Sequence, residues 1–170
     1  MDFEVYEQRI NDVIVKCPIE VGVEILVFNV LFELLGDHFS IVDVSTMWPN
    51  RESRLETAGG IPDIAIVSQD FEYRGENGIV FGFVEVKAPS VKLGDTEQLS
   101  GHIETNKHVL YTNGLEWKYY ATNCGLKWEI SLCERGFKTA TKRVKLSEEK
   151  YLELRNKILA IKEDLSHNNQ

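Results

Sequence analysis

Two carboxylates and a lysine at the ends of neighbouring apolar runs are the residues of this sequence best suited to chemistry. Asp63 opens one apolar run, and the triplet Glu85-Val86-Lys87 closes the next one, 22 residues later. Because strand side chains alternate between two faces, this spacing predicts one shared face for Phe81, Phe83, Glu85 and Lys87. Two carboxylates beside an ammonium suit a divalent cation, since Mg²⁺ prefers oxygen ligands.

A cation held by Asp63 and Glu85 would yield a nucleophile from water at neutral pH and offset the charge that develops on a phosphate oxygen. The backbone carbonyl of Val86 lies between the two key side chains and could add a ligand. Lys87 could orient the attacking water, help to deprotonate it, or stabilise the pentacovalent phosphorus. Each residue alone fits a turn, a strand edge or a strand end, but their joint spacing favours a shared metal site.

Four short motifs follow one another in a characteristic order. They are Pro62-Asp63, Glu85-Val86-Lys87, Gln98-Leu99 and Leu110-Tyr111-Thr112-Asn113-Gly114. In this order the chain resembles the PD-(D/E)XK nuclease superfamily, and in particular the nuclease regions of type I restriction enzyme motor subunits. The similarity covers about residues 20–120. It departs from the family at His102, since many relatives have tyrosine four residues after the glutamine.

The resemblance implies a restriction-endonuclease-like fold, with a central mixed β-sheet flanked by helices on both faces. It also implies a Mg²⁺-dependent endonuclease that hydrolyses DNA phosphodiester bonds with a metal-activated water, as in restriction, defence or mobile-element systems. Mn²⁺ is expected to substitute for Mg²⁺, and RNA is not excluded as a substrate. The catalytic residues would be Asp63, Glu85, Lys87 and Gln98.

Glu24 lies in a helix otherwise composed of valine, isoleucine, leucine and phenylalanine. Burial of an unpaired carboxylate costs several kcal/mol, so a metal, a basic partner or solvent at a cleft must compensate for it. Relatives in the resembled superfamily place a glutamate of the first core helix at the metal site, and Glu24 is the candidate. Glu20, one turn earlier on the same face, is the alternative, and either residue could simply face solvent.

Four further residues have a functional and a structural interpretation. Gln98 could hold substrate or the attacking water, as the resemblance implies, or close a capping box on Asp95. His102 follows one turn later and could contact a phosphate, although a surface histidine is the simpler interpretation. Arg51 and Arg54 precede Asp63 and could bind the phosphate backbone, but loop solubility explains them nearly as well.

Periodicity and turn residues predict three long helices, one shorter helix and six strands. The first helix ends near Lys16, the second runs from Pro18 to Leu35 and is buried on nearly all sides, and the last runs from Ser147 to about Leu165. Strands are predicted at 39–47, 60–67, 78–89, 108–112, 115–122 and 126–133, with a helix at 95–107. One domain of residues 1–170 is expected, with an N-terminal helix (1–17), a core (18–134) and a C-terminal helix (147–166).

Composition is that of an ordinary globular protein, with 43% hydrophobic and 27% charged residues in 170. Its acidic start lacks the basic region of a signal peptide, no run is long and apolar enough to cross a bilayer, and three cysteines without paired spacing predict neither a disulfide framework nor a zinc site. A cytoplasmic protein without membrane contact is therefore expected. The net charge of −8 weighs against nucleic acid, yet residues 135–145 carry five basic side chains and no acid.

Two other functions are compatible with the sequence. A catalytically weak or inactive nuclease-fold module could bind nucleic acid or a partner protein, and the acidic balance and His102 favour it. An RNA-directed or nucleotide-level hydrolase could use the same residues. One active site cuts one strand, so double-strand cleavage would need a homodimer or two sequential events.

Overall fold

The computed structural model describes residues 1–47, 52–105, 107–121, 125–135 and 139–167. These residues form four α-helices, a short 3-10 helix and six strands. The helices are α1 (Phe3–Lys16), α2 (Glu20–Leu35), α3 (Glu97–Ile103) and α4 (Glu148–His167), and the 3-10 helix is Ser53–Leu55. The strands are β1 (Ser40–Asp43), β2 (Ile64–Val67), β3 (Val80–Val86), β4 (His108–Thr112), β5 (Glu116–Ala121) and β6 (Gly125–Ser131).

The six strands form one mixed sheet whose spatial order is their order along the chain, β1 to β6. Neighbouring strands are antiparallel except for β3 and β4, which run parallel. A parallel pair needs a crossover connection, and α3 lies within this one. The prediction of a mixed α/β protein is confirmed at this level.

Helices cover both faces of the sheet. On one face, α1, α2 and α4 share the largest buried cluster with residues of the strands. On the other face, α3 packs through Leu99 against Val109 and Tyr111 of β4. The 3-10 helix adds Leu55 to this second side, beside Phe83 of β3. Helices of both layers reach the end of the sheet where Glu85 and Lys87 lie, since Lys87 is 3.9 Å from Glu20 of α2 and 3.4 Å from Gln98 of α3.

The prediction that α2 is buried on nearly all sides is wrong for one of its faces. Val23, Val27 and other side chains of its inner face are buried in the main cluster. A second face exposes Val21, Ile25 and Phe32 by 52%, 58% and 62%. A helix against one face of a sheet can bury only part of its circumference, however apolar its sequence is.

β3 contains an irregularity that breaks the predicted alternation. Ile66 pairs with Gly82, but the next residue of β2 pairs with Val80, so Phe81 is the extra residue of a bulge. Phe81 therefore packs against Phe39 on the α2 side, whereas Phe83 lies on the opposite side. The prediction that both phenylalanines share the face of Glu85 is wrong, because a bulge reverses the order of faces before it.

The turns that frame α3 differ in how well the sequence predicted them. Thr96 is the N-cap of α3, and its hydroxyl accepts a hydrogen bond from the Leu99 backbone N–H at 3.1 Å. The predicted capping box between Asp95 and Gln98 is therefore wrong by one residue. The hairpin predicted at Asn113 is confirmed, since β4 and β5 on either side of it pair antiparallel. The Asn113 side-chain oxygen accepts from two backbone N–H groups of the turn, at 3.0 and 2.9 Å.

The segment after β6 crosses the first helix and reaches the residues that follow β3. Asn11 of α1 exchanges two hydrogen bonds with the Val144 backbone, at 2.9 and 2.8 Å. The Ala140 N–H donates to the Pro89 carbonyl at 2.7 Å. The exposed side chains of Lys142 and Arg143 lie on this anchored segment. None of the described helices is long and apolar enough to cross a membrane.

Candidate metal centre

Asp63 is positioned by the end of β3. Its backbone N–H donates to the Val84 carbonyl at 3.2 Å, and its carboxylate oxygen Oδ2 accepts from the Val86 N–H at 2.6 Å. The adjacent β2 and β3 thus fix the Asp63 side chain beside the strand that carries Glu85 and Lys87. In an extended strand the N–H and C=O of one residue point to the same side, so the Val86 carbonyl, the predicted backbone ligand, is directed to the side of Asp63.

Two glutamates of α2 approach Asp63 from the other side of the cleft. Carboxylate oxygens of Glu20, Glu24 and Asp63 all lie within 4.8 Å of one another, and the three side chains are partly buried. Glu20 and Glu24 are one turn apart and therefore share a helix face. The sequence left these two glutamates as alternatives, and the structure brings both of them to Asp63.

Burial, and after it the charge of neighbouring acids, raises the pKa of two carboxyl groups in this site. Burial, followed by the charge of Glu85, raises the pKa of Asp63 to about 7, against the opposing effects of the Val86 N–H and Lys87. Burial and the neighbouring charges of Glu20 and Asp43 likewise raise the pKa of Glu24. Like charges held close together favour the neutral acids. A bound cation would remove this repulsion.

Lys87 lies between the acid cluster, formed by Glu20, Glu24 and Asp63, and the side chains of Glu85 and Gln98. Its ammonium donates to Glu85 Oε1 and to the Gln98 side-chain oxygen, the latter at 3.4 Å, and lies 3.9 Å from Glu20. Burial alone would lower the pKa of Lys87, but the hydrogen bond and charge of Glu85, with the charges of Glu20 and Asp63, outweigh it and raise the pKa. The side chain is 18% exposed, so a charged donor faces the cleft at neutral pH.

Glu85 is enclosed, with 1% of the residue exposed. Lys87 binds its Oε1, and the His102 ring nitrogen Nε2 lies 3.0 Å from its Oε2. Both oxygens of this predicted metal ligand therefore have partners from the protein. The cluster of three carboxylates formed by Glu20, Glu24 and Asp63 is therefore more accessible than the carboxylate of Glu85.

Two residues predicted as substrate contacts have partners within the protein. His102 is completely buried, and its Nδ1 lies 2.6 Å from the Thr57 hydroxyl, so the interpretation as a surface or phosphate-contacting histidine is wrong. Arg54 donates to both oxygens of buried Glu52, at 2.9 and 3.0 Å, and to backbone carbonyls of the turn at 72–78. These hydrogen bonds tie the loop before Asp63 to the turn at 72–78. Arg51 lies outside the described residues.

Gln98 is the member of α3 that reaches the cleft, through the contact with Lys87. The site residue that the sequence did not suggest is Thr57. A hydroxyl followed by Gly59 and Gly60 is typical of a tight turn, but sequence spacing cannot show a contact with His102, 45 residues away. The joint use of Glu20 and Glu24 could have been inferred from their one-turn spacing.

The described site thus combines three partly buried carboxylates, a charged lysine and an amide at one end of the sheet. Hard oxygen donors of this kind suit Mg²⁺ or Mn²⁺, and the adjoining ammonium suits a negatively charged substrate. No protein-family model, curated protein or solved structure matches the chain. Fold alone does not determine function, so the chemistry of this site is the guide to what the protein does.

Proposed function

We propose that this protein is a metal-dependent nuclease of the restriction-endonuclease-like fold that hydrolyses phosphodiester bonds, with DNA as its substrate. The observation that carries the proposal is the meeting of Glu20, Glu24 and Asp63 beside the ammonium of Lys87. A negative cluster for a cation and a positive group for a phosphate are the two halves of a phosphodiester-hydrolysing site.

The residues fit Mg²⁺ by their chemistry. Each of the three side chains offers a carboxylate oxygen, and none offers the sulfur or imidazole that softer metals prefer. Burial, then the charge of Glu85 and, less strongly, that of Glu24 raise the pKa of Asp63, and the positive charge of a cation would oppose this shift. When bound, the cation would activate water and offset charge on a phosphate oxygen.

The remaining residues orient the reacting groups. Lys87 keeps its proton at neutral pH, because the partners that raise its pKa outweigh the effect of burial. It therefore serves as a hydrogen-bond donor to a phosphate oxygen or to the attacking water, and not as a base. Gln98 accepts from Lys87 through its oxygen, which leaves its amide nitrogen to donate to the substrate.

The segment at 139–146 supports a substrate with a phosphate backbone. Its contact with Pro89 lies two residues beyond Lys87, and it carries exposed Lys142 and Arg143. Phosphate neutralisation by such side chains supplies most sequence-independent affinity for nucleic acid. Cleavage of both strands by this single site would take a second copy or two successive events.

Cleavage of plasmid DNA and of RNA, with Mg²⁺, Mn²⁺ or EDTA, tests the proposal. We expect metal-dependent cleavage of DNA by the wild type and none by Asp63→Asn. Asp70→Asn, a change of an exposed turn aspartate, is the matched control and should cleave normally. A wild type that binds no divalent cation by calorimetry and cuts neither nucleic acid would refute the proposal.

The second candidate is a non-catalytic module that binds nucleic acid or a partner protein. The net charge of −8 favours the partner-protein form of this module, because DNA binding usually requires a basic surface. Binding of DNA without cleavage under every metal condition would support this module over the nuclease. Cleavage that is lost in Asp63→Asn would exclude it.

A further inference from the structure

His102 contacts two parts of the site that are far apart in sequence, the end of β3 and the loop before Asp63. Its Nε2 lies 3.0 Å from Glu85 at the end of β3, and its Nδ1 lies 2.6 Å from Thr57 in the loop that leads to Asp63. We propose that His102 is a positioning residue that couples Glu85 to the loop carrying Asp63, with Thr57 as the partner that orients its ring. This inference rests on the proposed nuclease function.

Glu85 depends on both of its donors. A buried carboxylate without hydrogen bonds carries a large desolvation cost, and each oxygen of Glu85 has one protein donor, Lys87 for Oε1 and His102 for Oε2. Held at both oxygens, the carboxylate cannot rotate. Since Lys87 is bound to the same carboxylate, the position of the catalytic ammonium follows from the position of His102.

The direction of the hydrogen bonds is set by chemistry. An ionised carboxylate only accepts, so Nε2 of His102 must carry a proton and donate to Glu85. In a neutral ring Nδ1 is then the acceptor, and the Thr57 hydroxyl donates to it. In a charged ring Nδ1 donates to Thr57, whose hydroxyl then donates to the Gly60 carbonyl, 2.8 Å away. Thr57 can orient the ring in either form.

The loop and α3 are also packed backbone to backbone. A methyl group added to Gly101 would overlap the backbone of Ala58 and Gly59, and one added to Gly59 would overlap the Gln98 carbonyl. The loop itself is closed by two hydrogen bonds between Thr57 and Gly60, both 3.0 Å long. Asp63 follows three residues later. Movement of α3 would therefore be transmitted to Asp63 as well as to Glu85.

The test uses substitutions at Thr57, which touches neither the acid cluster nor Lys87 in the described contacts. Thr57→Val keeps the shape and removes the hydroxyl, whereas Thr57→Ser keeps the hydroxyl. The matched control is Thr105→Val, which removes a hydroxyl of similar burial that bonds the His102 backbone carbonyl at 2.6 Å and not the ring. Melting curves establish that each variant is folded.

We expect Thr57→Val to lower kcat for DNA cleavage, and the affinity for Mn²⁺ measured by calorimetry, by about 10- to 100-fold. KM for DNA should not change, because the substrate-facing groups remain. Thr57→Ser should restore wild-type values, and Thr105→Val should retain them. A structural role alone would lower the melting temperature of both valine variants without this selective loss.

The outcomes distinguish this inference from the proposed function. A wild type that cuts DNA, together with a Thr57→Val variant that cuts equally well, overturns the positioning role and leaves the nuclease assignment intact. If the wild type binds Mn²⁺ without cutting, the Mn²⁺ affinities of the same variants decide the matter. If the wild type neither binds Mn²⁺ nor cuts, both proposals are overturned. His102→Gln, which can still donate to Glu85, should be milder than His102→Leu.

Discussion

Replacement of Asp63 by asparagine is expected to stabilise the metal-free protein at neutral and alkaline pH. Burial is the main cause that raises the pKa of Asp63 from 3.8 to about 7, and the charge of Glu85 adds to it. Between these values the folded protein holds a proton that the unfolded chain has lost. Stability therefore falls as the pH rises from about 4 to about 7, and asparagine removes this loss.

The size of the effect follows from the pKa difference. One pKa unit corresponds to about 1.4 kcal/mol, so the interval from 3.8 to about 7 sets an upper limit of about 4 kcal/mol. Asp63 is only partly buried, and solvent screening reduces the expected gain to about 1–2 kcal/mol. That gain corresponds to a rise of roughly 2–8 °C in Tm. Asparagine keeps an acceptor for the Val86 N–H, so the backbone contact survives.

Urea unfolding of the wild type and of Asp63→Asn in EDTA, near pH 4 and near pH 8, measures the effect. The two proteins should be equally stable near pH 4, and the variant more stable near pH 8. Added Mg²⁺ should then stabilise the wild type, because it binds only the folded state, and should have little effect on the variant. An equal gain at both pH values, or none near pH 8, would refute the electrostatic reasoning.

Three further predictions concern neighbouring residues. Glu20→Gln and Glu24→Gln should each lower Mg²⁺ affinity in calorimetry, because both glutamates approach Asp63. If only one of the two variants binds Mg²⁺ more weakly, the ligands are Asp63 and that one glutamate. Lys87→Met should abolish plasmid cleavage and destabilise the protein by about 1–3 kcal/mol in urea unfolding, because buried Glu85 loses a donor; unchanged stability would contradict the contact. Arg54→Ala should lower the melting temperature, because buried Glu52 loses its guanidinium partner and keeps only backbone donors. The DNA affinity of the folded protein should not change; a weaker DNA affinity would support the role of Arg54 as a phosphate contact.

Local patterns predicted the elements of this fold better than their faces. Apolar periodicity and the turn at Asn113 gave the helices, the hairpin and the adjacent strands of Asp63 and Glu85, because these features depend on neighbours in sequence. The reversed face of Phe81 depends on a bulge that pairs two residues of β3 with one of β2. No local property of Phe81 indicates such a bulge.

The site was predictable where it depends on spacing and unpredictable where it depends on tertiary contacts. Helical geometry predicts that Glu20 and Glu24 share one face of α2. It could not show that the Asp63 carboxylate lies close to both of them. A histidine on a short helix has no sequence feature that distinguishes exposure from complete burial. The burial of His102 follows from the position of Glu85. The contacts of Arg54 include the Glu72 carbonyl, 18 residues away, and they follow from the path of that turn.

The sequential order of the strands has a consequence for how the chain folds. It divides the sheet into two antiparallel meanders, β1–β3 and β4–β6, joined at the single parallel seam between β3 and β4. Pairing inside each meander is local and fast to form, whereas the seam must close a longer segment of chain. We expect the last cooperative step to join two preformed halves, visible in hydrogen exchange as two protection classes. The Lys87 backbone N–H donates across this seam to the Thr112 carbonyl. The proposed active site would therefore be complete only after the two halves have joined.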